Sequence, residues 1–268
     1  MSQPNFGVDA ILCARVGSSR LPRKILLPVV GKPILQLTLE RLRYSRQIAR
    51  LVVATTVQEE DDEVAHLCDR LSLQCYRGSA EDVLDRVYSC ARHYGMQHIA
   101  HFGADNPLID PNLCDDVIGV YIEKSGGWDC VTNNRIQDQL PTYPDGQEVE
   151  VISFAALETV WREEKNPRRR EHLLSFLREN PQRFRIRKLN HVPDLHHERW
   201  TLDYPEDYEF LCVVFENLYP HSPWFSMRDI ITFLDENPHV RKINAMHVGY
   251  TWYKGHPQQI DSFTRQKP

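Results

Sequence analysis

No stretch of this chain approaches the ~18 consecutive apolar residues that a membrane helix needs. Its first residues, MSQPNFGVDA, carry neither the basic segment nor the long apolar core of a secretory signal. Both absences predict a cytoplasmic protein that does not engage membranes. An excess of positive charge is also missing: 32 Lys and Arg against 37 Asp and Glu leave a net charge of −5. That balance argues against a nonspecific nucleic-acid binder working through a basic surface, while leaving room for a local cationic pocket. The seven cysteines, Cys13, Cys68, Cys75, Cys90, Cys114, Cys130 and Cys212, contain no C-x-x-C pair. Such an odd, scattered set suggests neither a disulfide framework nor a structural zinc site, and reads as reduced, buried thiols. Two common nucleotide loops are absent as well. Without G-x-x-x-x-G-K-S/T or G-x-G-x-x-G, a P-loop ATPase and a conventional NAD-dependent dehydrogenase both lose ground.

What is present is an ordinary folded composition, 41% hydrophobic and 26% charged over 268 residues. The length, under two domains of ~150 residues, predicts one domain over 1–268, with an elaboration at 133–197 and a loose tail at 257–268. Val8 to Ala14 is a short apolar run, the pattern of a strand buried on both faces of a parallel sheet. A helix is predicted over Pro33 to Tyr44, where Ile34, Leu35, Leu37, Leu39 and Leu42 recur near helical spacing, and a strand over Leu51 to Thr55. The alternation continues with helices over 61–71 and 81–94, strands over 73–76 and 98–102, and a helix from Asp110-Pro111 to Glu123. It predicts an α/β fold, doubly wound, with a mostly parallel sheet and helices on both faces. Turn-forming Pro141, Pro144, Asp145 and Gly146 then change the rhythm. A strand at Trp200–Asp203, a helix opened by Tyr204-Pro205 and a last helix over Met227–Glu236 resume it.

In such a sheet, ligands lie beyond the carboxyl ends of the strands. After the first strand, Gly17 suits a tight turn, Ser18 and backbone N–H groups suit phosphate oxygens, and Arg15, Arg20 and Lys24 supply charge for a polyphosphate. A solvated basic loop is the plainer alternative. Asp105 and Asp203 each follow a predicted strand, so the two carboxylates can converge on one metal ion, or each can cap the helix that follows. The cations between Arg162 and Lys188 read as a solvated face, with no aromatic pattern for stacking nucleic-acid bases. His196 and His197 are adjacent on an extended chain and point to opposite faces, which disfavours a metal site there.

Several ordered motifs carry a resemblance. Ala14-Arg15-x-Gly17-Ser18-x-Arg20-Leu21-Pro22-x-Lys24 is followed by Gly31-Lys32-Pro33-Ile34, Val53-Ala54-Thr55 and Arg77-Gly78-Ser79-Ala80-Glu81-Asp82. Asp105-Asn106-Pro107-Leu108-Ile109-Asp110, Tyr143-Pro144-Asp145-Gly146, Arg170-Glu171-His172 and Arg199-Trp200-Thr201-Leu202-Asp203-Tyr204-Pro205-Glu206-Asp207 come after. Over roughly residues 8–215 the chain resembles the cytidylyltransferases that make CMP-activated sugars, within them the branch of acylneuraminate cytidylyltransferase-like and spore coat polysaccharide proteins. The resemblance implies attack of a sugar or sugar-acid oxygen on the α-phosphorus of CTP, loss of pyrophosphate, and Mg²⁺ held by Asp105 and Asp203. Arg15 and Lys24 join these two as catalytic candidates. Leu12, Ala14, Thr55, Arg77 and Gly78 are candidates for cytosine recognition, though Arg77 reads equally well as a surface charge. Glu148, Glu150, Arg170, Glu171 and His172 are acceptor-side candidates, and the elaboration is expected to form a homodimer. The alternation of Val149 and Val151 predicts a strand with Glu148 and Glu150 on its opposite face, where plain solvation is the alternative. Where the family has Thr-Gly-Asp, this chain has Gly103-Ala104-Asp105, placing a β-carbon where a close approach or a positive φ is at issue. The same loop also suits a sugar 1-phosphate with UTP or GTP, and a non-catalytic nucleotide-binding subunit is the rival of another class.

Overall fold

The computed structural model of the chain describes residues 7–123, 127–137 and 139–249, so the expected tail at 257–268 lies outside the described residues. The strands are β1 (Val8–Cys13), β2 (Pro28–Val29), β3 (Lys32–Pro33), β4 (Ile48–Thr56), β5 (Gln74–Gly78), β6 (His98–Gly103), β7 (Cys130–Thr132), β8 (Glu150–Ser153) and β9 (Ile186–Lys188). The helices are α1 (Ile34–Leu42), α2 (Asp62–Arg70), α3 (Val83–His93), α4 (Pro111–Glu123), α5 (Phe154–Glu163), α6 (Pro167–Arg170), α7 (Ser175–Glu179), α8 (Pro205–Leu218) and α9 (Met227–Glu236). Seven strands form one sheet in the order β5-β4-β1-β6-β8-β7-β9. Its first four strands are parallel, β8 runs antiparallel to both neighbours, and β7 pairs with β9 in parallel.

Past Asp9, which pairs with Arg50, β1 is apolar because both its faces are covered. Leu12 points into one cluster with Leu39 of α1, Val64 of α2 and Val117 of α4, and Ile11 into another with Val87 of α3, Leu157 of α5 and Leu177 of α7. The sheet is thus doubly wound. Helix starts follow side-chain chemistry: Asp82 accepts the Asp85 N–H at 2.8 Å before α3, and Ser226 with Asp229 forms a capping box before α9. The segment 133–197 contributes β8 between β6 and β7, and β9 at the sheet edge. The rhythm changes there because an antiparallel strand enters a parallel sheet.

One expected strand does not form. Trp200 donates its N–H to the Asp145 carbonyl at 2.7 Å and Leu202 to the Asp105 carbonyl at 2.8 Å, so these backbones tie two loops together and join no sheet. Trp200 and Leu202 pack instead with Leu37 of α1, Phe210 of α8 and Ile230 of α9 in a third cluster. Apolar alternation does not separate a strand from an extended loop that buries alternate residues in a helical layer.

Arg41 fastens that layer to the sheet. Only 1% exposed, it donates to the carbonyls of Ile109 at 3.0 Å, Leu108 at 3.3 Å and Phe225 at 2.7 Å, and its guanidinium lies 4.2 Å from the Phe225 ring centroid. Burial lowers its pKa to about 10, which leaves it charged at neutral pH. Because it holds the loop that follows Asp105, its loss should loosen the site as well as the core. Arg41→Met keeps the apolar stem and strands buried carbonyls, so urea denaturation should show a loss of about 3 kcal/mol. Unchanged stability would refute this role.

Candidate active site

The loop after β1 is built by backbone contacts at its root. Ala14 donates to the Ala54 carbonyl at 3.1 Å, and Val16 N–H reaches Asp61 Oδ1 at 2.6 Å. Asp61, 1% exposed, also accepts the Thr56 N–H at 3.3 Å and the Thr56 hydroxyl, so one buried carboxylate clamps the ends of β1 and β4. The tight turn expected at Gly17 is elsewhere. Positive φ falls on Arg23, at 58°, just before a turn of 3₁₀ helix at Lys24–Leu26, while a β-carbon on Gly17 would meet Glu60 Oε1 at 2.8 Å. Arg15 is exposed and has no carboxylate partner among the described residues, and Ser18 is half-buried beside it.

Further along, the loop meets two carboxylates. Lys24 Nζ lies 2.9 Å from Asp203 Oδ1, 3.5 Å from Asp105 Oδ2 and 2.7 Å from the Leu202 carbonyl. Arg20 pairs with Asp203 Oδ1 at 2.7 Å and lies over the Tyr204 ring. The structure therefore brings Arg20, Lys24, Asp105 and Asp203 together. Neither Asp is a helix cap: Asp207 accepts the N–H groups of Asp203 and Tyr204 at 2.9 and 3.0 Å, and Asp110 accepts the Asn112 N–H at the start of α4. Burial opposes charge on Asp203, but Lys24 and Arg20 outweigh it and hold the carboxyl below its ordinary range. Ala104 meets neither concern raised by the sequence, since its φ is not positive and it packs in the core. The close approach is at Gly103, where a β-carbon would collide with the Asp105 carboxylate.

A buried arginine that sequence reasoning missed supports these groups. Arg199 pairs with Asp207 through two bonds of 2.9 and 2.8 Å and reaches Asp145 at 3.0 Å. Gly146, with φ 104°, lies so close to the Trp200–Thr201 backbone that a β-carbon would meet Thr201 N at 2.7 Å. This turn places Asp145 and Glu148 beside Asp105. Burial first, and then the neighbouring carboxylates, push Asp145 and Glu148 above the usual range, although Arg199 pulls Asp145 down. Glu148 accepts the Asn106 side-chain N–H at 3.0 Å and the Gly146 N–H at 3.1 Å.

The other candidates are dispersed. The side chains of Leu12 and Ala14 are buried in the core, and Thr55 is buried with its hydroxyl unpartnered. Arg77 bridges the Thr56 and Gln58 carbonyls and Asp62, and Gly78 admits Arg86 of α3 at close range. Glu150 shares no solvated face with Glu148. It is paired with Arg178 at 3.2 Å and lies 3.6 Å from His101, whose pKa rises to about 10 because its Cys13 and Glu150 partners outweigh burial. Arg170 ties α6 to Asp82 at 2.6 Å, Glu171 is exposed and His172 is half-buried. The basic stretch pairs internally at Arg162, Arg169, Arg170, Arg178, Arg183 and Arg185. His101 and Arg178 carried no spacing signal; only the register of β6 against β8 sets His101 opposite Glu150.

Chemically, two hard oxygen donors meet around one ammonium, and among the described residues no group of three or more His, Cys, Asp or Glu is arranged to hold a metal alone. Such a pair suits an ion that completes its shell with phosphate oxygens and water, and the Lys24 ammonium already stands where a cation satisfies both carboxylates. A cytidylyltransferase family model matches residues 10–229. An uncharacterised protein of Methanocaldococcus jannaschii is 34% identical over 242 residues, covering 89% of this chain and 94% of that protein. A spore coat polysaccharide biosynthesis protein of Bacillus subtilis is 29% identical over 235 residues, covering 85% and 94%. A solved cytidylyltransferase from Leptospira borgpetersenii superposes with a TM-score of 0.81 at 30% identity, covering 87% of this chain and 95% of that one. With the doubly wound sheet and the loop after β1, these matches show that the chain belongs to the cytidylyltransferase family and is a nucleotidyltransferase enzyme.

Proposed function

We propose that the protein transfers CMP from CTP to a sugar or sugar acid, releasing pyrophosphate, with Mg²⁺ held by Asp105 and Asp203, as a cytoplasmic step of polysaccharide biosynthesis. The observation that carries this reading is the convergence of both carboxylates on Lys24 at the mouth of the loop after β1. Arg15, Ser18, Arg20 and Lys24 bind the triphosphate, where charge-assisted contacts draw the β- and γ-phosphates away from the reacting centre. Leu12, Ala14, Thr55, Arg77 and Gly78 border the base, while Glu148, Glu150, Arg170, Glu171 and His172 belong to the acceptor side. An acceptor oxygen attacks the α-phosphorus and pyrophosphate leaves toward the loop cations. When bound, Mg²⁺ neutralises phosphate charge in this step.

Asp105→Asn and Asp203→Asn each remove a negative ligand at nearly constant volume. Turnover, read as pyrophosphate release with a confirmed acceptor, should collapse in both, while CTP binding falls less. Near-normal Mg²⁺-dependent turnover in both variants refutes the assignment. Arg15 has no carboxylate partner to lose among the described residues, so Arg15→Ala gives a clean measure of phosphate binding. Calorimetry should show CTP affinity reduced about ten- to a hundredfold in Arg15→Ala and in Lys24→Ala, and unchanged affinity in both removes the triphosphate cradle. The segment 133–197 exposes Leu140 by 53% and Val192 by 90%, which supports a homodimer formed through it. Light scattering at tens of micromolar protein should return twice the chain mass; a monomer contradicts the proposal.

A further inference from the structure

We infer that Lys24 is an internal counter-ion of the metal site, filling the cation position between Asp105 and Asp203 until a nucleotide triphosphate draws it away. The divalent ion would then enter with the nucleotide and not before it. This rests on the reading of Asp105 and Asp203 as the metal-holding carboxylates.

The geometry separates Lys24 from the other loop cations. Its ammonium contacts three oxygens, those of Asp203, Asp105 and the Leu202 carbonyl, at 2.9, 3.5 and 2.7 Å, and its side chain is only 14% exposed. Arg15, by contrast, is exposed and has no carboxylate partner among the described residues, so it can meet phosphate from the outset. Arg20 touches Asp203 as well, but its side chain is 50% exposed, and a pair so open to solvent is screened and weak. Lys24 is therefore the chief neutralising charge between the two carboxylates.

An ammonium and a divalent ion cannot both occupy the gap between these carboxylates. A metal arriving alone has to break the charge-assisted contacts to both carboxylates and leave the ammonium, in a half-buried place, with the Leu202 carbonyl in place of two anionic partners. A triphosphate supplies those acceptors. Lys24 moves to phosphate oxygen, and the freed carboxylates of Asp105 and Asp203 would then be available to hold the metal beside the nucleotide. Metal and nucleotide then favour each other's binding by the same factor.

Mn²⁺ binding followed by electron paramagnetic resonance tests this without turnover. In the absence of nucleotide, Lys24→Met should bind Mn²⁺ about tenfold or more tighter than the natural protein, the scale of the contacts removed. Distortion of the site lowers affinity, so a gain cannot come from structural damage. The gain should vanish in Lys24→Met/Asp203→Asn. With CTP present, the natural protein should bind Mn²⁺ far more tightly than without it, and Lys24→Met should lose most of that enhancement. Lys24→Gln carries the same expectations and replaces Lys24→Met if circular dichroism shows that the latter has not folded. If neither single variant gains Mn²⁺ affinity while the natural protein binds Mn²⁺ with CTP, the counter-ion role is overturned and the metal site stands. If none of the proteins binds Mn²⁺ even with CTP, the metal assignment itself is overturned, and the counter-ion role with it.

Discussion

The site depends above all on the buried pair of Arg199 and Asp207. Asp207 is fully buried and takes two bonds from the guanidinium, two backbone N–H groups at Asp203 and Tyr204, and the Asn244 side chain at 3.0 Å. One carboxylate thus starts α8, satisfies donors that a helix leaves open, and fixes the backbone that carries Asp203. The other end of Arg199 reaches Asp145 and holds the turn that leads to Glu148. Removing either partner would leave an uncompensated buried charge, which costs far more than the intact pair contributes.

The second constraint is the crowding of like charge. Burial first, and with it the charge of nearby carboxylates such as Asp105, pushes Asp145 and Glu148 toward their protonated forms. Arg199, Lys24 and Arg20 divide the compensation, Arg199 on the buried side and the two loop cations on the open side. The consequence is a polarised site. Its inner wall is neutralised by a buried arginine held between Asp207 and Asp145, and its mouth by side chains on the loop after β1.

The loop cations, Asp105 and Asp203 were legible because each sits in a short run with few other uses. Gly17, Ser18 and Lys24 follow the first strand, and Asp105-Asn106-Pro107 follows another. Arg199 stands at the head of a matching motif, but its role was not legible: it follows His196, His197 and Glu198, and nothing in that local pattern marks it as buried. For Glu150 the sequence left a solvated face open as the alternative to an acceptor role, because strand alternation gives side-chain direction but not what covers the face. Arg178 and His101 cover it, on elements distant in the chain.

By itself the sequence determined the alternation of strands and helices, the loop that follows β1 and the family, because these are set by local periodicity, turn chemistry and short ordered motifs. The tertiary structure alone decided that residues 200–202 join loops and not the sheet, that neither Asp105 nor Asp203 caps a helix, and that both converge on Lys24. The physical reason is that the contacts at 200–202 and around Lys24 join residues 55 to 179 positions apart. Their geometry follows from how the helical layer of α1, α8 and α9 packs on the sheet, and no local pattern encodes that distance.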